Sequence, residues 1–268
     1  MRIPIVISGA LGKMGSEIAA LVLADPACEL RGAIERPGHP RLGHDYAACT
    51  GRGTPGITVT DALDPGSIGD GVVIDFSSPA ATTALLEKTR DAAMRLVIGT
   101  TGLSSKELSL AQKAAERMPV LVSPNMSLGV NLLFALTEFV AGRLKDDFDI
   151  EIIEAHHRFK KDAPSGTAKR LGEIVAQAYN LPYEKAVCDG RSGISATDRK
   201  KNEVGMHAVR GGDIVGDHTV LFAGMGERIE LRHMMHSRST LARGAVAAAK
   251  WLFTQKPGYY SMKDVLGL

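Results

Sequence analysis

Residues 3–15 read Ile3-Pro4-Ile5-Val6-Ile7-Ser8-Gly9-Ala10-Leu11-Gly12-Lys13-Met14-Gly15: a short apolar run, then three glycines spaced three apart. Such a run suits a strand buried on both faces. Ile18, Leu21 and Val22 then recur at helical spacing as far as Asp25-Pro26. Strand, glycine turn and helix together form the context of a dinucleotide-binding turn. The first glycine permits the tight turn, the second lets the backbone approach a pyrophosphate, and the third lets the helix close on the strand. The helix N-terminus adds unpaired N–H donors. A second strand, predicted at 28–34, ends at Glu35, whose carboxylate suits the hydroxyls of an adenosine ribose. Arg36 beside it suits a 2′-phosphate or the adenine face. Glu35 favours NADH and Arg36 favours NADPH, so the expected cofactor is NADH, NADPH or both.

Outward from this turn, strands are predicted at 72–76, 95–98 and 120–122, with helices at 79–93 and 104–117 between them. Alternation at these lengths indicates parallel βαβ units. Residues 36–56 carry five Gly and three Pro and are read as a long loop. After Pro124 the character changes. A long apolar helix at 127–144 leads to a strand at 148–156 and a helix starting near Ser165. Residues 203–234 alternate with period two, which favours antiparallel or mixed sheet. The last helix, 239–254, has an Ala-rich face suited to returning onto the first domain. The expected fold is α/β, with an N-terminal parallel-sheet domain (1–126 and 240–268) and a C-terminal α+β domain with a mixed sheet (127–239).

Composition agrees with this class and removes others. Of 268 residues, 29 are Gly and only 5% are aromatic, which suits helices packed closely on a sheet. A formal charge of +2 lacks the basic excess of a nucleic-acid binder. No apolar run approaches the roughly 18 residues of a membrane span, and the first residues do not read as a signal peptide. Cys28, Cys49 and Cys188 are far apart without CxxC spacing, so inert thiols in a cytoplasmic protein are expected. His233 and His236, with His207 and His218 upstream, lack the companions of a metal site, and no metal is expected.

The segment that carries chemistry is Glu154-Ala155-His156-His157-Arg158-Phe159-Lys160-Lys161-Asp162-Ala163-Pro164-Ser165-Gly166-Thr167-Ala168. Histidine is the usual proton donor near neutral pH. Both histidines can meet one ligand only where the strand breaks into loop, because neighbouring strand residues point to opposite faces. Lys160 is a fixed positive charge, and Gly166-Thr167 at a helix start offer N–H groups and a hydroxyl to a carboxylate. Together these describe a pocket for a small anion that also receives a proton. Arg158, Lys161 and Lys169 read as solvated charges, as does the run Asp198 to Asn202. Asp75-Phe76-Ser77-Ser78 ends a strand and borders the expected cofactor crevice.

The run from Glu154 to Ala168 resembles the signature of the 4-hydroxy-tetrahydrodipicolinate reductase (dihydrodipicolinate reductase) family of bacterial lysine and diaminopimelate biosynthesis. Similarity extends to the N-terminal glycine turn, Gly99-Thr100-Thr101-Gly102, Pro124-Asn125-Met126-Ser127, Arg210-Gly211-Gly212-Asp213 and Ser237-Arg238. The resemblance implies a Rossmann domain followed by a substrate and tetramerisation domain, a small dicarboxylate substrate and a homotetramer. It also implies His156 as general acid/base, Lys160 as a second proton donor, and His157, Gly166 and Thr167 as substrate contacts. Gly9, Ala10, Leu11, Gly12, Lys13 and Met14, with Glu35 and Arg36, would hold the cofactor. Gly99, Thr100 and Thr101 with Ser123, Pro124, Asn125 and Met126 would line its nicotinamide side, consistent with ligands sitting outside the carboxyl ends of parallel strands. Lys13 stands where the family often has Arg, and Leu11 is bulky for the turn; both bear on cofactor preference. Other two-domain dehydrogenases of homoserine or aspartate type are alternatives that the His-His-x-x-Lys and Ser-Gly-Thr run argues against.

Overall fold

The computed structural model describes residues 2–53, 55–89, 92 and 94–268. The last part of the helix expected at 79–93 falls on residues 90, 91 and 93, outside the described ones. Two compact units are present, Met1–Leu128 with Ser239–Leu268, and Gly129–Arg238. Among the described residues no helix is long and apolar enough to cross a membrane.

The first unit runs β1 (Ile3–Ser8), α1 (Lys13–Ala24), β2 (Cys28–Ile34), α2 (Tyr46–Thr50), β3 (Val59–Thr60), α3 (Pro65–Ile68), β4 (Val72–Asp75), α4 (Pro79–Thr89), β5 (Arg95–Ile98), α5 (Ser105–Ala115) and β6 (Pro119–Val122). The second runs from α6 (Leu128–Leu144), which straddles the boundary, through β7 (Asp149–His156), α7 (Gly166–Ala178), α8 (Tyr183–Ala186), β8 (Val187–Asp189), β9 (Val204–Arg210), β10 (Gly216–Ala223) and β11 (Arg228–Met235). The chain then returns to the first unit with α9 (Ser239–Leu252), β12 (Gly258–Tyr260) and α10 (Met262–Val265).

The first sheet has the order β12-β6-β5-β4-β1-β2-β3, and its strand pairings are all parallel. Reading from β3 across to β6, this is the Rossmann order, which places a crevice at the carboxyl ends of β1 and β4. The apolar run of β1 is unbroken because both of its faces are covered. Ile5 and Ile7 pack with Ile18 of α1 and Ala245 of α9, while Val6 packs with Leu85 of α4 and Ala111 of α5. Burying each such side chain contributes on the order of 1.5–3 kcal/mol.

The stretch read as loop at 36–56 holds a helix. Asp45 caps α2 by accepting from Ala48 N–H at 3.1 Å, and Tyr46 is buried at the helix start. One cap and one buried aromatic ring outweigh the surrounding glycines and prolines. β3, α3, α8, β8, β12 and α10 are equally too short to show periodicity.

The second sheet, β11-β10-β7-β9-β8, is mixed: β7 is parallel to β9 and antiparallel to β10. One face is covered. Ile150 and Ile152 of β7 pack with Leu171 and Val175 of α7, Leu133 of α6, and Val220 and Phe222 of β10. The alternation in β10, where Gly216, His218, Val220 and Phe222 are buried, reports this one-sided cover. On the opposite face, the run at 198–202 is not a solvated loop throughout. Arg199 donates to Glu151 and Asp149 and to three backbone carbonyls, and Arg191 forms a fork on Glu151. Burial opposes the charge on Glu151, but Arg191, His207 and Arg199 outweigh it and hold the carboxyl at about 2.

Candidate active site

In the first unit the glycine turn follows β1 directly. Gly9 has φ of +76°, and a Cβ on Gly15 would lie 2.0 Å from the Gly9 carbonyl oxygen. The N–H groups of Gly9 and Ala10 both donate to Ile34 O, at 2.9 and 3.1 Å. Glu35 is tied to the turn as well, accepting from Leu11 N–H through Oε1 at 2.8 Å, while Oε2 lies 3.3 Å from Arg36 N. The carboxylate that suits a ribose is thereby indexed to the loop that suits a pyrophosphate.

Two hollows open along the carboxyl ends of these strands and share Gly12, Phe76 and Ser77. The larger, about 590 Å³, is lined by Gly9, Glu35 and Arg36 together with Ala62, Leu63, Ala81, Leu85 and Lys88. The smaller, about 300 Å³, brings together Lys13, Met14, Gly99, Thr100, Thr101, Pro124, Asn125 and Met126. Ala10, Leu11 and Ser123 line neither. Ala10 is buried, Leu11 packs against the core, and the Ser123 hydroxyl donates to Asn125 O at 2.8 Å, shaping the turn instead.

Asp75 organises this wall from beneath. It is fully buried and accepts hydroxyl hydrogen bonds from Ser77, from Thr82 at 2.5 Å and from Thr100 at 2.9 Å. Ser77 N–H in turn donates to the Thr100 hydroxyl at 2.9 Å, joining the β4 and β5 loops. Glycine at 99 belongs to the same wall, because a Cβ there would meet the Phe76 ring at 2.2 Å.

In the second unit β7 ends at His156, so His157 lies in the loop that follows. The strand break frees the two rings from strict alternation, yet they have different neighbours: His156 meets Glu154 and His218, and His157 meets Phe159 and Arg238. His156 is 9% exposed, and its Nδ1 lies 2.6 Å from Glu154 Oε2. Burial lowers the pKa of His156; Glu154 raises it, and Lys160 and Arg210 lower it, for a net downward shift. The ring of His218 meets that of His156 edge to face, with centroids 5.2 Å apart. His218 is almost wholly buried and titrates at about 4, mainly because burial disfavours the imidazolium. Its Nε2 lies 3.0 Å from the hydroxyl of Ser165.

Ser165 starts α7: its side chain accepts from Ala168 N–H, and its own N–H donates to Glu154 Oε1 at 3.0 Å. Gly166 and Thr167 follow in the first helical turn of α7. Lys160 pairs with Asp162 at 2.8 Å. A third hollow, about 500 Å³, is lined by His157, Phe159, Asp213, Val215, His236, Ser237 and Arg238. Arg238 stands 3.5 Å from His157 Nε2. Of the expected substrate contacts only His157 lines this hollow. His156, Lys160, Gly166 and Thr167 are grouped instead around Glu154 and Ser165.

Glu154, Arg210, Ser165 and His218 were not singled out as functional from sequence. A buried carboxylate looks like any other glutamate there, and strands β9 and β10 bring Arg210 and His218 in from positions more than fifty residues away. Among the described residues no group of three or more His, Cys, Asp or Glu is arranged to hold a metal ion.

Comparison with known proteins covers nearly the whole chain. Residues 3–126 match the family description "Dihydrodipicolinate reductase, N-terminus", and residues 129–266 match its C-terminus counterpart. The chain is 48% identical over 268 residues to the 4-hydroxy-tetrahydrodipicolinate reductase of Thiobacillus denitrificans, covering 100% of both chains. It is 47% identical over 266 residues to that of Geotalea uraniireducens, covering 99% of each. A solved dipicolinate-bound dihydrodipicolinate reductase from Paenisporosarcina sp. TG-14 matches with a TM-score of 0.78 and 25% identity, over 98% of this chain and 99% of that one. An amine dehydrogenase from Mycobacterium smegmatis matches with a TM-score of 0.56 at 13% identity, over 98% and 95% of the two chains, a likeness of fold alone.

Proposed function

The chain belongs to the dihydrodipicolinate reductase family, and on that premise we propose that it reduces 4-hydroxy-tetrahydrodipicolinate to tetrahydrodipicolinate in the diaminopimelate route to lysine. The observation that carries the reading is His156, held by a buried carboxylate beside the N-terminus of α7, with Lys160 attached to the same group of residues. The reaction adds a hydride and a proton to the substrate and releases water.

A bound nicotinamide nucleotide supplies the hydride. The first unit fits such a group: the glycine turn has no room for side chains at Gly9 and Gly15, and Glu35 presents a carboxylate where a ribose would lie. Glu35 and Arg36 together suit both NADH and NADPH, and Lys13 offers a 2′-phosphate a point charge rather than a fork. Gly99, Thr100, Thr101 and Pro124 to Met126 would line the nicotinamide side.

In the second unit His156, assisted by Lys160, delivers the proton to the substrate atom adjoining the reduced carbon. Gly166 and Thr167 offer the amides of the first turn of α7 to one carboxylate, and Lys160 balances its charge. His157 and Arg238 suit the other, since a guanidinium can fork onto a carboxylate. The open face of the mixed sheet, bearing Ile153 and Val209, suits assembly into a homotetramer.

The test is oxidation of NADH and NADPH by the purified protein with enzymatically generated substrate. His156→Ala and Lys160→Ala should each lower kcat by about 100-fold or more, with cofactor affinity retained. Near-normal kcat in both variants refutes the assignment.

A further inference from the structure

The residues around His156 converge on one carboxylate that no catalytic role yet explains. Glu154 is fully buried, and its two oxygens receive four hydrogen bonds. Oε2 faces His156 Nδ1 at 2.6 Å and Arg210 Nη1 at 2.8 Å; Oε1 accepts from Arg210 Nη2 at 2.8 Å and from Ser165 N–H at 3.0 Å. Arg210 Nη2 also donates to the carbonyl of Asp162 at 2.6 Å, and the Asp162 side chain holds Lys160. One buried charge is therefore linked to both candidate proton donors and to the start of α7.

We propose that Glu154 is a positioning residue for proton delivery: it keeps His156 in the tautomer that bears hydrogen on Nδ1, leaving Nε2 for the substrate proton, and through Arg210 and Asp162 it sets the place of Lys160. This rests on the reading of His156 and Lys160 as the proton donors.

Three arguments support it. A carboxylate that accepted only Arg210 and Ser165 N–H would join β7, β9 and α7 equally well, so the bond to His156 adds something a structural joint does not need. Holding a buried charge costs free energy that apolar packing would avoid. The second is Gly216 of β10, where a Cβ would lie 3.1 Å from His156 Nε2. The absence of a side chain there leaves space beside Nε2. The third is that an acid or base oriented by a third group recurs where one ring nitrogen must do chemistry and the other must not.

The titratable and charged groups facing His156 are Glu154 on its own strand, Arg210 at the end of β9, His218 on β10 and Lys160 in the loop, where Asp162 pairs with Lys160. Arg210 and Lys160 disfavour the imidazolium, and Glu154 alone among the contacting groups favours it. Glu154→Gln keeps the shape and removes that charge. It should lower kcat about 10- to 100-fold with KM within about threefold. The alkaline limb of the kcat–pH profile should move to lower pH, because His156 then loses its proton more readily. Glu154→Asp should restore part of the rate and return the limb toward its wild-type position. A folded Glu154→Gln variant with unchanged kcat, or with reduced kcat and an unmoved limb, overturns the proposal.

A second measurement stands without the variant. In the wild-type enzyme labelled with ¹⁵N-histidine, the His156 signals, assigned by their loss in His156→Asn, should report a protonated Nδ1 and a bare Nε2 above the imidazole pKa. The opposite tautomer overturns the proposal even if Glu154→Gln does not fold. Normal kcat in His156→Ala would instead defeat the underlying proton-donor reading, so the two failures are distinguishable.

Discussion

Gly15 shows how little room the cofactor turn leaves. A methyl group there would lie 2.0 Å from the Gly9 carbonyl oxygen and 2.8 Å from Ala10 Cα, both backbone atoms that cannot swing aside. Gly15→Ala should therefore push α1 off β1, weaken NADH binding at least about tenfold, and lower the melting temperature by several degrees, roughly the effect of 1–3 kcal/mol of overpacking. Fluorescence titration and thermal unfolding check both. His218 gives a prediction of a different kind. Its imidazole titrates at about 4 in the fold against the usual 6.5. Between those values the unfolded chain binds a proton that the folded one refuses, so its contribution is whole above pH 6.5 and shrinks as pH falls toward 4. The slope reaches about 1.4 kcal/mol per pH unit. His218→Gln should flatten the pH dependence of the urea midpoint in that window; an unchanged slope contradicts the assignment. At this scale glycines and motif histidines were legible in the sequence, since only geometry or reactivity explains them. Asp75 was placed at the crevice but without the hydroxyls it gathers, and the links of Glu154 to Arg210 were not legible, because what sets them apart is burial and a partner supplied by another strand.

The elements were legible wherever burial imposed a period. β1 reads as one apolar run because α1 and α9 cover one face while α4 and α5 cover the other. β10 alternates because only one face of its sheet is covered. The helix expected at 104–117 is observed at 105–115, where Ser104 and Glu107 form a reciprocal cap that fixes its start. What escaped was short: α2 inside a glycine-rich stretch rests on the Asp45 cap and the buried Tyr46 ring, neither of which makes a pattern. The loops after β4 and β5 carry a testable dependence. Asp75 accepts hydroxyls from Ser77, Thr82 and Thr100, so Asp75→Asn must set an amide hydrogen against at least one of them. Each unmet buried group costs about 1–3 kcal/mol. The variant should melt lower and bind NADH about tenfold more weakly, while the fold of the second unit, followed by its own hydrogen-exchange protection, stays as it was. Wild-type cofactor affinity in Asp75→Asn would show that this ring of hydroxyls is only structural.

At the scale of the whole molecule, the sheet of the second unit is covered on one side. The other side carries Ile153 and Val209 at 38% and 48% exposure beside the Glu151 cluster. If that face joins copies of the chain, Ile153→Asp should give a smaller species in sedimentation velocity without loss of secondary structure; an unchanged sedimentation coefficient would place the interface elsewhere. The cluster itself clamps residues 191–203 onto the sheet. With the Glu151 carboxyl held at about 2 against the usual 4.5, its contribution is whole above pH 4.5 and fades as pH falls toward 2. The change from parallel to mixed architecture was legible because a helix separates the early strands and none separates the late ones. The ion pairs of the clamp were not, since a run such as Asp198 to Asn202 gives no hint of what it will meet.

The return of the chain to its first sheet has a consequence for biosynthesis. α9 covers Ile18, Ala19 and Val22 of α1, and β12 pairs with the edge of β6, yet both are translated after the whole of the second unit. The first unit is thus begun before the second on the ribosome and finished after it. While residues 129–238 emerge and can already close around their own core, the early strands wait with one flank bare and one edge unpaired. That interval is when a nascent chain is most open to aggregation.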